Sequence, residues 1–337
     1  MVFSNERWSQ LWRLMFFLLV LMVGLRHKVG GDWGTYLDKI NEQRYTPFPQ
    51  LGNLSNSEPS YILLNWIAAH YGLDVYFVNA VCALFFAWGL IEFCRRQPRP
   101  WLAMVVAVPY LLVVVSMGYT RQGVAIGLAM LGMVALVDRK IMRFALFLFL
   151  GATFHKSCLL LIPLAALANP QKKLWNIFWT LILLVLVSVL FSDTFIERYK
   201  YSYLERTYQS SGASIRVAMN TVPALLFLFF RNRFILPKSD QIFWVWISIM
   251  ALALQVWLLF STSTTAIDRI ALFVIPLQLF VFSRFPDAFG RLDGNNTALV
   301  IVVVLYSALV LFVWLFFASH AAGWLPYQFY PLVWLFE

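Results

Sequence analysis

Long apolar runs alternate with short polar links along most of the chain. We mark about eleven apolar segments, at residues 8–25, 75–94, 101–117, 121–137, 142–154, 155–168, 174–192, 214–230, 241–260, 267–283 and 297–318. A helix of roughly 20 apolar residues spans a bilayer core of about 30 Å. The pattern therefore predicts an all-α polytopic membrane protein with about 10–11 membrane segments, forming a single transmembrane domain over residues 1–337.

The short links between these segments carry clusters of Lys and Arg. They are RRQPR at 95–99, DRKIMR at 138–143, KK at 172–173, RNRFILPK at 231–238 and SRFPDAFGR at 283–291. Because cytoplasmic loops are enriched in Lys and Arg, we place these links and the N-terminus on the cytoplasmic side of the membrane. The same placement predicts external loops at residues 26–74 and 193–213, and an external aromatic tail at residues 319–337 that suits the membrane interface.

One segment must enter and leave on the same side for this orientation to hold. Residues 142–168 are long for one crossing and short for two, and His155 and Lys156 lie at their middle. We therefore predict a broken helix or hairpin with its turn at residues 153–157, since irregular backbone at membrane depth is tolerated where it lines a polar cavity. Residues 58–72 are helical in pattern and are expected to lie along the interface or dip into it.

Composition and the absence of known motifs limit the kinds of chemistry that the chain can perform. The 337 residues are 61% hydrophobic and 12% charged, with a net charge of +10. The basic excess follows from the cytoplasmic links, so it predicts no nucleic-acid partner. Three cysteines lie singly in apolar segments, and there is no HExxH, CxxC, Asp-x-Asp, GxGxxG or P-loop motif. We therefore expect neither a metal site nor a cofactor.

Three arginines are predicted to open helices on the external side, where cations are disfavoured. Arg121 follows SMGYT, Arg216 follows SSGAS and Arg269 follows STSTTAID. A cation in the first helical turn opposes the helix dipole, but arginines and helix N-termini both bind anions. Together with Lys156, they predict a diphosphate-binding site. The alternative is that each arginine reaches lipid phosphates at the interface.

Three further side chains are candidates for catalysis. Asp32 in GGDWGTY fits a catalytic carboxylate or a helix cap, and Glu58, which precedes a proline, fits a catalytic group or a helix start. His155 fits a general base, a phosphate contact or a structural role, and we favour it as the base. Asp268, three residues after Thr265, is typical of a capping box, so we leave it out of the chemistry.

Polar and aromatic side chains near these groups are candidates for sugar contacts. Glu58, Tyr61 and Asn65 are spaced to share one face of a helix. We expect that face to contact a sugar or line a cavity. Trp33, Tyr36 and Tyr119 are expected to stack on sugar faces.

Four short motifs occur in a fixed order: GGDWGTY (30–36), EPSYILLN (58–65), GYTRQGVAIG (118–127) and ATFHKSCLLLIP (152–163). This order resembles the EpsG-type bacterial exopolysaccharide polymerases, which are Wzy-like. The later IDRIALFVIPLQ (267–278) also resembles the Arg-containing segment of that family. The resemblance covers most of the chain. Gln122, beside Arg121 in the third motif, is then expected to contact the acceptor sugar.

The resemblance implies a metal-independent glycosyltransferase that joins undecaprenyl-diphosphate-linked oligosaccharide repeats into O-antigen, capsule or exopolysaccharide. The reaction is expected at the external face of the bacterial cytoplasmic (inner) membrane. The growing chain would leave its lipid diphosphate for the non-reducing end of a new lipid-linked repeat. Lipid-linked oligosaccharides, membrane lipids and a chain-length regulator are the implied partners.

Two other functions are compatible with the same residues. An O-antigen ligase-like transferase would use the same donor with another acceptor. A transporter or flippase of a lipid-linked sugar would also need arginines and broken helices, but the sequence lacks the internal repeats typical of many transporters.

Overall fold

A computed structural model describes residues 10–53, 58–168, 178, 181, 185, 212–261, 264–291 and 294–336. Its α-helices are numbered here in chain order: α1 (Gln10–Gly24), α2 (Trp33–Arg44), α3 (Pro59–Tyr71), α4 (Asp74–Arg95), α5 (Pro100–Ala107), α6 (Thr120–Val137), α7 (Ile141–Ala152), α8 (Ala213–Phe230), α9 (Lys238–Phe260), α10 (Thr264–Ala271), α11 (Pro276–Phe289), α12 (Thr297–Phe317) and α13 (Tyr330–Phe336). A π-helical stretch, Val108–Ser116, continues α5. The predicted segment 174–192, the link 172–173 and the loop 193–213 lie outside the described residues, apart from single positions.

The helices confirm an all-α polytopic membrane protein. Five are long and apolar enough to cross a membrane, namely α4, α6, α8 with its following turn, α9 and α12. The helices α10 and α11, with a bend of 45° between them, make a sixth span if the pair is counted as one. The helices α1 and α7 and the stretch Pro100–Ser116 are apolar but shorter. The full count of 10–11 membrane segments therefore stays a prediction.

The predicted break near residues 153–157 is present. The helix α7 ends at Ala152, and a 3-10 helix, Lys156–Ala168, follows. The amides of Phe154 and His155 both donate to the carbonyl of Gly151, at 3.1 and 2.9 Å, and this turns the chain. The second limb contains a proline, which lacks an amide donor and opposes a regular α-helix.

The predicted external loop at residues 26–74 contains two helices, α2 and α3, that pack against each other. The helix α3 confirms the helical pattern at residues 58–72. Its 13 residues rise about 20 Å at roughly 1.5 Å each, which is too short to cross a bilayer.

The helices α4 and α6 form the centre of the bundle and cross at two glycines. A Cβ added at Gly89 would lie 1.9 Å from the carbonyl oxygen of Gly127. The two backbones therefore touch, and a larger residue at either position would separate them. The apolar part of α6 is 83% buried, whereas that of α12 is 11% buried. This contrast is typical of an enclosed central helix and a lipid-facing helix.

The segment after α1 and the segment before α13 pair in a two-stranded antiparallel sheet. The strand β1 (Arg26–His27) pairs with β2 (Gln328–Phe329). The first part of the aromatic tail is therefore docked on the protein: Trp324 is 5% exposed, whereas Trp334 is 71% exposed. Composition alone did not predict this docking, and the external location of the tail stays a prediction.

Candidate functional site

An open pocket with about 250 Å³ of empty space lies at the end of the bundle where α4 and α6 begin. We call this end the pocket end. Seven residues from four parts of the chain line the pocket, namely Asp32, Tyr36, Tyr119, Arg121, Gln122, His155 and Arg269. Six of them are predicted site residues, and Tyr119 was expected to stack on sugars. The fold thus brings together side chains that are up to 237 positions apart, from residue 32 to residue 269.

Two loops hold the Asp32 and Arg121 sides of the pocket together. Gly30 has a φ of 105°, and a Cβ there would lie 2.6 Å from the carbonyl oxygen of Met117, so only glycine fits this approach. The hydroxyl of Tyr36 donates to the carbonyl of Gly118 at 3.3 Å. It also accepts from the amide of Thr120 at 3.1 Å. These bonds fix the start of α2 against the start of α6.

Asp32 and Tyr36 project from the start of α2. Asp32 occupies the N-cap position, but its side chain makes no capping hydrogen bond. The interpretation of Asp32 as a helix cap requires such a bond, so the structure does not support that role for the carboxylate. Burial, followed by the charge of Asp32, raises the pKa of Tyr36, so its phenol stays protonated and can donate a hydrogen bond.

Arg121, the second residue of α6, confirms its predicted place in a first helical turn. Its Nη1 lies 2.7 Å from Oε2 of Glu58, and its guanidinium is 5.6 Å from the centre of the Tyr61 ring. Glu58 precedes α3 as its N-cap, without a side-chain capping bond. Glu58 therefore lies beside the pocket as the counter-ion of Arg121 and is not one of its lining residues.

Arg216 also lies in a first helical turn, that of α8, but it does not line the pocket. Its Nε and Nη2 donate to the two carboxylate oxygens of Asp268 at 2.8 and 2.7 Å. This is the two-pronged geometry in which arginine binds carboxylates and phosphates most specifically. The interpretation of Asp268 as a helix cap missed this pairing, because a capping pattern says nothing about residues that are distant in sequence.

Arg269 lines the pocket, but its predicted position in the helix is wrong. The helix α10 begins at Thr264, so Arg269 lies in the last turn and not in the first. A cation there is favoured by the helix dipole. The side-chain amide of Gln122 donates to the carbonyl of Arg269 and so docks α10 onto α6. The expected contact of Gln122 with a sugar stays a prediction.

His155 follows the break after α7 and faces the pocket. Its ring lies 5.8 Å from the ring of Phe273, measured between centres. Its Nδ1 is buried and makes no hydrogen bond to any described residue. Lys156, the next residue, is exposed and does not line the pocket. The turn thus presents the imidazole, and not the ammonium group, to the site.

Tyr61 and Asn65 share one face of α3, as their spacing predicted, but that face is fully buried and does not line the pocket. The amide of Asn65 donates to the backbone carbonyl of Tyr61 at 2.8 Å. The ring of Tyr61 lies beneath the guanidinium of Arg121. Direct sugar contact by these two residues stays a prediction.

Two cations near the site were not predicted from the sequence. Arg26 is fully buried, donates to Thr120 Oγ1 at 2.7 Å and to Asn79 Oδ1 at 3.2 Å, and forms no ion pair with any described residue. Lys39 lies 5.9 Å from the centre of the Tyr61 ring. A signal for Lys39 was available, because it follows Tyr36 by three residues in a helix and so shares its face.

No group of three or more His, Cys, Asp or Glu residues in the described part of the chain is arranged to hold a metal ion. The pocket offers two guanidinium groups, a carboxylate, an imidazole and two phenols. Such a set suits an anionic, hydroxyl-rich ligand, with cations for its charge and polar groups for its hydroxyls.

The fold and this pocket define a multi-pass membrane protein with a cation-containing polar site at one end of its helix bundle. Residues 10–329 match the model of the EpsG family, so the chain belongs to the EpsG family. Membership implies a role as an exopolysaccharide, Wzy-like polymerase. No curated protein and no solved structure matches the chain.

Proposed function

We propose that this protein joins oligosaccharide repeat units carried on a lipid diphosphate, at the external face of the bacterial cytoplasmic membrane. One observation carries the proposal: Arg121 and Arg269 line the same small pocket as Asp32 and His155. Cations suited to a diphosphate and groups suited to a proton transfer thus share one site. Undecaprenyl diphosphate is the lipid carrier that the family resemblance implies.

The reaction requires one bond to form and one to break. A hydroxyl oxygen at the non-reducing end of the new repeat attacks the anomeric carbon of the growing chain. The bond from that carbon to the diphosphate oxygen breaks, and its electron pair stays on the diphosphate. The hydroxyl proton passes to a base in the pocket.

The arginines stabilise the charge that develops on the departing diphosphate. Fixed donors aimed at developing charge are usually the largest contribution to such catalysis. In the described residues, Arg121 makes a single hydrogen bond, through Nη1 to Glu58, which holds its planar group in place. Its other N–H groups remain to bind phosphate oxygens. Arg216 and Asp268 lie outside the pocket lining and support its wall through α8 and α10.

His155 is the base that we favour, and Asp32 is the second candidate. The imidazole lines the pocket and can accept a proton when it is neutral. Asp32 also lines the pocket with a carboxylate that makes no capping bond. Glu58 is a weaker candidate, because its carboxylate is paired with Arg121 and does not line the pocket.

The proposal is tested in a host strain that lacks the gene, complemented with wild type, Arg121→Ala, His155→Ala or Asp32→Asn. Arg143→Ala is the matched control, because Arg143 is an exposed arginine on α7 outside the pocket lining. Surface polysaccharide is separated on a gel. We expect single repeats in the deletion strain, a ladder with wild type and Arg143→Ala, and loss of the ladder with Arg121→Ala and His155→Ala.

Other outcomes would assign other functions. A ladder that persists on the lipid carrier in the deletion strain indicates a ligase. Repeats that accumulate on the cytoplasmic side indicate a transporter. A ladder with His155→Ala but not with Asp32→Asn transfers the role of base to Asp32.

A further inference from the structure

The docked part of the aromatic tail contacts the two loops that carry Asp32 and Arg121, and Trp324 lies at the centre of this contact. Its indole Nε1 donates to the carbonyl of Val113 at 2.8 Å. A Cβ added at Gly118 would lie 2.3 Å from Cζ2 of Trp324, so the indole lies directly on the backbone of that glycine. Gly118 is three residues before Arg121.

The same tail segment binds the loop that carries Asp32. The amide of Gly30 donates to the carbonyl of Gly323 at 2.8 Å. A Cβ on Gly31 would lie 4.0 Å from Cζ3 of Trp324. Gly323 and Trp324 thus contact the backbone at two points. One is Gly30, two residues before Asp32, and the other is Gly118, three residues before Arg121.

The tail is itself anchored from two directions. The ring of Trp324 packs edge-on against Trp314 of α12, with 4.8 Å between centres. Beyond it, β2 pairs with β1, and the ring of Tyr330 stacks on Tyr76 of α4 at 3.7 Å. The indole is therefore held by the bundle while it contacts the two loops.

We propose that Trp324 is a positioning residue, which sets the place of Asp32 relative to Arg121 in the pocket. This inference rests on the proposed function for its effect on turnover, but not for its effect on the loops. If one loop serves the acceptor and the other the diphosphate, each can still bind its ligand when the tail is lost. Their relative orientation would change, and small errors in orientation reduce rate strongly.

The test uses the full chain in lipid nanodiscs, as wild type, Trp324→Ala, Trp324→Phe and the control Trp334→Ala. Trp334 is an exposed tryptophan of the same tail. The first measurement is amide hydrogen exchange of the segments 28–36 and 116–124, with 93–100 at the opposite end as an internal reference. We expect Trp324→Ala to raise exchange in both loops about tenfold, and to leave the reference segment unchanged.

The second measurement is turnover of the lipid-linked repeat that is extracted from host membranes lacking the gene. Trp324→Ala should lower turnover about tenfold or more while the apparent KM stays within about threefold, because only orientation is lost. Trp324→Phe keeps a ring over Gly118 and should restore part of the turnover. Trp334→Ala should behave as wild type in both measurements.

A methyl group at Gly118 provides an independent check. Gly118→Ala should displace the indole and lower turnover, but it should add little to the defect of Trp324→Ala, since the space is then open. Independent, additive losses from the two substitutions would overturn the inference.

Three further outcomes would contradict it. They are unchanged exchange in both loops, an equal rise in all segments for both Trp324 variants, and a higher KM at unchanged turnover. If wild type makes no polymer, the proposed polymerase function fails, and the exchange measurement alone decides whether Trp324 positions the loops.

Discussion

Arginine–carboxylate pairs lie at both ends of the bundle, and they differ in what else contacts the arginine. At the end where α4 and α11 finish, Arg99 donates to Asp287 through Nε and Nη2. It also donates to the backbone carbonyls of Gly294 and Asn295. At the pocket end, Arg121 makes one hydrogen bond to a described residue, Glu58, and faces an open pocket.

The difference separates a structural cation from one that can bind a ligand. All three nitrogens of Arg99 are used, so this residue ties the end of α11 to the following loop. Arg121 has more N–H donors than its bond to Glu58 uses. An arginine of that kind can bind a phosphate without losing its own ion pair. Both residues are arginines paired with a carboxylate. The number of N–H donors that remain unused distinguishes Arg121 from Arg99.

The largest expected effect comes from removing each arginine. Arg121→Ala should lower turnover about 100-fold, the usual range for loss of one charge-stabilising donor, with a small change in thermal stability. Arg99→Ala should lower the unfolding temperature and leave the turnover of the folded protein near that of wild type. Turnover and thermal unfolding of the purified proteins check both results.

Arg121→Lys sharpens the same comparison. Lysine keeps the charge but loses the planar fork, so turnover should fall about tenfold if the arginine binds phosphate through two donors. Full activity of Arg121→Lys would contradict phosphate binding through two donors and would leave only an effect of charge.

A smaller effect is expected from removing each carboxylate. Glu58→Gln removes an anion tethered beside Arg121, so inorganic diphosphate should inhibit about fivefold more strongly, as expected for a pair worth about 1 kcal/mol. Asp287→Asn should leave the inhibition constant unchanged, because Arg99 does not face the pocket. Equal inhibition of Glu58→Gln and wild type would show that Glu58 does not compete with the ligand.

The smallest effect concerns Lys39, which is half-buried near the ring of Tyr61. Burial first, and then the charge of Arg121, lower its pKa from 10.5 to about 8, while Glu58, Glu42 and Asp32 act in the opposite direction. The unfolded chain therefore holds more protons than the folded one between pH 8 and 10.5, so this group makes the protein more stable as the pH rises through that window.

Lys39→Met should remove that pH-dependent increase. The measurement is the unfolding temperature at pH 7, 8, 9 and 10 for wild type and variant. An unchanged slope in Lys39→Met would assign the pH dependence to other groups.

Hydropathy placed the helices well, because membrane segments are specified by the residues of each segment alone. The helix α4 was predicted at 75–94 and runs Asp74–Arg95, and α8 was predicted at 214–230 and runs Ala213–Phe230. The break near His155 was also predictable, since a polar pair in the middle of an apolar run disfavours one continuous spanning helix.

Contacts between distant segments could not be predicted in the same way. Arg121 and Glu58 are 63 positions apart, and Arg216 and Asp268 are 52 apart, so no local pattern links them. The start of α10 was misplaced because the stretch STSTT before Ala266 is rich in Ser and Thr, which are typical of turns and helix caps. The docking of Trp324 depends on glycines at two remote loops, which composition cannot reveal.

The pairing of Arg26 and His27 with residues 328 and 329 has a consequence for biosynthesis. About 300 residues separate the two strands, which is roughly 15–60 s of synthesis at 5–20 residues per second. During that time the two loops can contact each other through Tyr36, but they lack the tail segment that packs against both of them. The ribosome must therefore translate residues 328 and 329 before the two strands can pair, so the tail is fastened to the pocket end only late in synthesis.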